Sequence, residues 1–95
     1  MKKILNINEL LLTELLKSKK LTKQKFKYFK YLVNLHSENL SYKNKENKEF
    51  CKDIALNHLL NNWDKFYNAI NNNPFAYYTN IILNGFANGY KLLNN

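Results

Sequence analysis

One proline and two glycines in 95 residues set the tightest limit on what this chain can fold into. Hairpins and short strands need frequent turns, and Gly and Pro supply most of the backbone geometries that turns demand. Pro74, Gly85 and Gly89 all fall in the last quarter of the chain. The expected fold class is therefore all-α, a single small domain of about four helices. The length allows one domain with a modest core.

Hydrophobic periodicity places the helices. The first is expected over residues 8–19, capped by Asn8, with Leu11, Leu12, Leu15 and Leu16 as its apolar stripe. The second is expected over 22–39, with Thr22 as cap and Phe26, Phe29, Leu32, Val33 and His36 at helical spacing. Residues 41–48 alternate Lys, Asn and Glu and read as a mobile loop. The third helix is expected over 49–63. Its core face is Cys51, Ile54, Ala55, His58, Leu59 and Trp63, and its opposite side carries Asp53, Leu56, Asn57 and Leu60. Two leucines away from the core leave two readings open: the edge of the core, or a patch for a partner. A linker over 64–72 is anchored by Phe66 and Tyr67.

The fourth helix begins at Asn73-Pro74, a favoured cap followed by a favoured first helical residue, and is expected over 74–91. Phe75, Tyr78, Ile82, Phe86 and Tyr90 form its apolar face. Tyr77, Asn80, Asn84, Asn88 and Lys91 form its polar face. Gly85 and Gly89 weaken a helix by about 1 kcal/mol each relative to Ala, and their place here is consistent with a close helix crossing. The polar ridge has two readings. It is a solvated face in an Asn-rich chain, or it touches nucleobases, since Asn pairs with base edges and Tyr stacks on unpaired bases.

Every basic residue is Lys, and the formal charge is +8. Residues 1–52 hold 13 Lys and 5 Glu, whereas residues 53–95 are neutral, with Lys65 and Lys91 against Asp53 and Asp64. An AT-rich genome would explain the abundance of both Lys and Asn. Lys23, Lys27 and Lys30 either contact phosphates or keep a small protein soluble. One cysteine excludes a disulfide framework within the chain and a cysteine zinc cluster. Asn6, Asn8 and Glu9 interrupt the apolar run that a signal peptide would need, and no apolar run reaches membrane-spanning length, so a cytoplasmic protein without membrane contact is expected. His36, His58 and Cys51 read as core residues, no acids pair for acid–base work, and no phosphate-binding glycine loop is present. Neither an enzyme nor a cofactor is expected.

The order of residues adds a resemblance. Asp64-Lys65-Phe66, Pro74-Phe75-Ala76-Tyr77-Tyr78-Thr79 and Asn84-Gly85-Phe86 resemble conserved region 2 of sigma-70 family transcription initiation factors. The likeness is closest to the late-gene sigma factors of T-even bacteriophages, against which Phe66, Asn73, Pro74, Ala76, Tyr77, Thr79, Asn84 and Phe86 match without a gap. It is most specific over residues 64–91.

The resemblance implies a small phage-type sigma factor, a promoter-specificity subunit of a multisubunit RNA polymerase. The third helix would dock on the clamp helices of the largest subunit through Asp53, Leu56, Asn57 and Leu60. The fourth would present Tyr77, Asn80, Asn84, Asn88 and Lys91 to promoter DNA and open an upstream element. The chain departs from the family in two ways. Asn80 and Ile81 stand in place of the family's paired Trp residues, and Gly89, Leu92 and Leu93 occupy a stretch that is basic in the phage factors. No helix-turn-helix follows in this sequence, so a second protein is expected to supply the downstream contact. Two alternatives stand beside this reading: a polymerase-binding inhibitor or decoy without DNA reading, and a small basic protein that binds DNA or an anionic surface through the first two helices.

Overall fold

Four α-helices and one 3-10 helix make up a computed structural model that describes residues 2–40, 45–68 and 73–94. The chain is a single small all-α domain, without strands among the described residues. None of the described helices is long and apolar enough to cross a membrane.

Helix α1 spans Lys2–Lys17. It therefore starts earlier than the Asn8 boundary read from the sequence. Ile7, Leu11 and Leu15 are buried at a spacing of four, which extends one apolar stripe back through the supposed cap. Leu12 packs partly against the core, but Leu16, expected on the stripe, is 72% exposed. It sits about 100° around the helix from Leu15, outside the arc that the Ile7–Leu11–Leu15 line turns inward.

Helix α2 spans Lys23–Ser37, shorter by a residue or two at each end than its expected range. Thr22 caps it as expected: its Oγ1 accepts from the Lys25 N–H at 3.2 Å. Phe29, Leu32 and Val33 are buried. Phe26 is only half-buried, and Lys25, one residue earlier, takes the buried position a helical turn before Phe29.

Helix α3 spans Lys45–Asn62. Residues 45–48, expected in the loop, are helical, with Glu46 in the first turn where the helix dipole favours an acid. The rest of that expected loop, residues 41–44, lies outside the described residues. A 3-10 helix, Trp63–Asn68, then turns the chain and buries Trp63 and Phe66. Helix α4 spans Pro74–Leu93.

The most extensive packing is between α3 and α4, which run antiparallel so that Gly89 meets Cys51 and Gly85 meets Ala55. A Cβ on Gly85 would lie 2.5 Å from the Ala55 Cα, and one on Gly89 would lie 2.9 Å from the Cys51 sulfur. Here the tertiary fold overrides helix propensity. The two glycines cost backbone order, and in return the two helix axes approach closely over Cys51, Ala55 and Leu59, all fully buried.

A polar knot closes the end of α1. The Lys25 side chain is fully buried, and its ammonium donates to the Ser18 carbonyl, to the Lys20 carbonyl at 2.6 Å and to Ser18 Oγ at 3.3 Å. It also lies 5.2 Å over the Trp63 ring. Tyr67 reaches the same turn, its one hydroxyl proton shared between the Leu15 and Ser18 carbonyls at 2.6 and 2.9 Å. Tyr67 thus satisfies one of the last carbonyls of α1, that of Leu15, while Lys25 from α2 satisfies the Ser18 and Lys20 carbonyls of the turn that follows.

Candidate functional site

Helix α4 is fixed at its start by two amide side chains from different elements. Asn73 Oδ1 accepts from the Ala76 N–H at 3.2 Å, and Asn8 Oδ1, from the middle of α1, accepts from the Phe75 N–H at 2.9 Å. Asn8 is therefore a cap, though of α4 rather than of its own helix. The inner face of α4 carries Tyr78, Ile82, Gly85, Phe86 and Gly89. The Tyr78 ring meets Phe29 edge-on at 5.1 Å, and its hydroxyl donates to the Trp63 carbonyl at 3.0 Å. Burial pushes that phenol well above the usual tyrosine range, so Tyr78 remains a neutral donor.

Of the five ridge residues read from the sequence, Asn80, Asn84, Asn88 and Lys91 are exposed along one side of α4. Tyr77 is different. It is half-buried, its ring edge-on to Phe66 at 5.6 Å and to Tyr78 at 5.5 Å. The ring packs against these neighbours while the residue stays partly exposed. The aromatic that stands free beside the ridge is Tyr90, 58% exposed, with Leu83 on the same flank. The sequence placed Tyr90 on the core face. The helix seam passes instead through Gly89 against Cys51, which leaves its neighbour beside the seam. The outer face of α4 is thus three amides, one phenol and an apolar flank, with Lys91 as its one charge.

Thr79 and Phe75 serve a structural contact. The Thr79 hydroxyl donates to the Phe75 carbonyl at 2.7 Å, so its oxygen accepts from His36 Nε2–H at 2.9 Å. The hydroxyl has one proton, and this fixes the Nε2–H tautomer of the imidazole. The His36 ring also packs edge-on to Phe75 at 5.5 Å, and burial lowers its pKa below the ordinary value. His36 is accordingly a satisfied core histidine. His58 is half-buried and stands apart from it on α3, while Cys51 is a free, fully buried thiol beneath Gly89. Among the described residues no group of three or more His, Cys, Asp or Glu side chains is placed to hold a metal ion.

On α3, Asp53 and Asn57 are exposed, whereas Leu56 and Leu60 are half-buried against the core. Both leucines stand at the edge of the core, with part of each side chain still exposed. Leu56 and Asp53 line a shallow groove between α2 and α3, together with Lys30, Val33, Asn34, Glu49 and Lys52. Lys52 pairs with Glu49 at 3.3 Å on its rim. Lys23 and Lys27 lie elsewhere, beside Leu21 and Phe26 at the start of α2. Lys30 lies between the two: it lines the groove, and its ammonium stands 5.6 Å over the Phe26 ring.

No protein-family model, no curated protein and no solved structure matches the chain significantly.

Proposed function

We propose that this chain is a small phage-type sigma factor. Helix α3 docks on the clamp helices of the largest subunit of a multisubunit RNA polymerase. Helix α4 turns its outer face toward an upstream promoter element. The setting is cytoplasmic.

The observation that supports this best is the register of α4. The residues that resemble the sigma pattern divide on it by role. Phe75, Thr79, Gly85 and Phe86 hold the helix to α2 and α3, while Asn84, with Asn80 and Asn88, faces outward. Amide side chains aligned on an exposed helix face are suited to base edges. Asp53 and Asn57 stand exposed on the neighbouring helix, beside an apolar rim formed by Leu56.

A pull-down with core polymerase tests the docking. The wild-type chain and an Asn80→Ala/Asn84→Ala variant are expected to retain polymerase equally, and Asp53→Lys/Asn57→Lys to lose it. Recovery of no polymerase by the wild type would sink the reading.

One observation favours a second reading, a polymerase-binding inhibitor that does not read DNA. Tyr77 is drawn into the packing, and Lys91 is the one cation on the outer face of α4. In that case the Asn80→Ala/Asn84→Ala variant would inhibit host transcription as well as the wild type does.

A further inference from the structure

Residues 15–37 contain seven lysines and neither Asp nor Glu. A codon bias would explain Lys in place of Arg, but it would not remove acids from a stretch of helix surface. The structure sorts these lysines. Lys25 points inward, Lys17 pairs with Glu14 at 3.0 Å, and Lys30 lines the α2–α3 groove. Lys19, Lys20, Lys23 and Lys27 remain, all exposed at the corner where α1 gives way to α2. Among the described residues none of these four has an acidic partner within ion-pair distance.

The corner is also held in one shape. The buried Lys25 ammonium ties the Ser18 and Lys20 carbonyls together, and the Tyr67 hydroxyl ties Leu15 to Ser18. Lys19 lies 5.6 Å over the Tyr67 ring. The first turn of α2, capped by Thr22, adds the positive end of its dipole to the same field. A charge cluster on an ordered turn loses less entropy on binding than one on a loose loop.

We infer that this α1–α2 corner is a contact surface for the phosphate backbone of nucleic acid, distinct from the outer face of α4. The corner lies at the 3-10 end of the molecule, beside Tyr67. Helix α4 runs the other way along α3, so Asn88 and Lys91 sit near Cys51, toward the opposite end. The ligand is recognised by charge, so binding is independent of base sequence. A phosphate backbone suits the corner better than an anionic membrane. An interfacial helix needs a continuous apolar face to bury; Leu11, Leu15, Phe29 and Leu32 are in the core, and the exposed Leu16 and Leu21 are two separate side chains rather than such a face. This contact does not depend on the promoter reading, because it requires neither polymerase nor the α4 amides.

The test is fluorescence anisotropy of the whole chain with a random-sequence DNA duplex of about 20 base pairs across a salt series. Each phosphate contact contributes about 0.9 to the slope of log affinity against log salt. The variant Lys19→Gln/Lys20→Gln/Lys23→Gln is expected to flatten that slope by about 2–3. A control with the same net charge, Lys45→Gln/Lys48→Gln/Lys52→Gln, is expected to leave it nearly unchanged. Far-UV circular dichroism of both variants should match the wild type. Equal flattening by both would show that only net charge matters, and would overturn the assignment. So would wild-type binding to phosphatidylserine-containing vesicles in the absence of any duplex binding.

Discussion

Replacing Gly85 with alanine probes the seam that orients α4. The added Cβ would stand 2.5 Å from the Ala55 Cα and 3.0 Å from its Cβ. The nearest atom is backbone, so no side chain can swing aside. Ordinary contact begins near 3.4 Å, so α3 and α4 must separate locally by about 0.9 Å. Overpacking of this kind costs about 1–3 kcal/mol, and a rigid neighbour puts the cost at the upper end. Alanine returns about 1 kcal/mol of helix propensity. The net expectation is a loss of about 2 kcal/mol, which for a domain of this size lowers Tm by about 8–16 °C. Thermal melts followed by far-UV circular dichroism measure it, with Asn84→Ala on the outer face as the comparison. Asn84→Ala is expected to be neutral or slightly stabilising. If Gly85→Ala were stabilising too, the close crossing would be wrong, and with it the register that turns Asn80, Asn84 and Asn88 outward.

Two further outcomes follow from single contacts. Asn8→Ala places the best helix former in the middle of α1, yet it strips the acceptor from the Phe75 N–H. It is expected to destabilise by about 1 kcal/mol in urea titrations, and a gain in stability would remove Asn8 from the capping of α4. His36 has a pKa lowered from 6.5 by burial. Its folded form therefore resists protonation, and as pH falls below 6.5 the unfolded chain takes up the proton first. The stability that His36 contributes is whole above 6.5, declines as pH drops toward the folded pKa and levels off beneath it. Urea midpoints at about pH 7.5 and about pH 5 should differ more for the wild type than for His36→Gln; equal differences would contradict this.

The fold class was legible because scarce turn residues and helical spacing pointed the same way. The limits of that reading are physical. Asn8 has the right chemistry for a cap, but one helix's sequence does not reveal that the donor belongs to Phe75, 67 residues away. Lys25 sits a turn before Phe29, on the core side, where a charged side chain is rarely buried. Only the tertiary arrangement brings the Ser18 and Lys20 carbonyls within reach of its ammonium. Leu56 and Leu60 were ambiguous by spacing, because how far a side chain at the edge of a helix's apolar stripe is covered depends on its neighbours in the fold. On α4 the amide ridge was readable from its period. That Tyr90 stands more exposed than Tyr77 was not, because it depends on where Phe66 and the Gly89 seam lie.

Run-off transcription tests the central claim most directly. Core polymerase, a phage late-promoter template and the wild-type chain, with a lysate fraction supplying any partner subunit, are expected to yield a promoter-specific product. That product should fall with Asn80→Ala/Asn84→Ala while polymerase retention is unchanged. A chain that binds polymerase, yields no such product and only reduces host transcription would contradict the account.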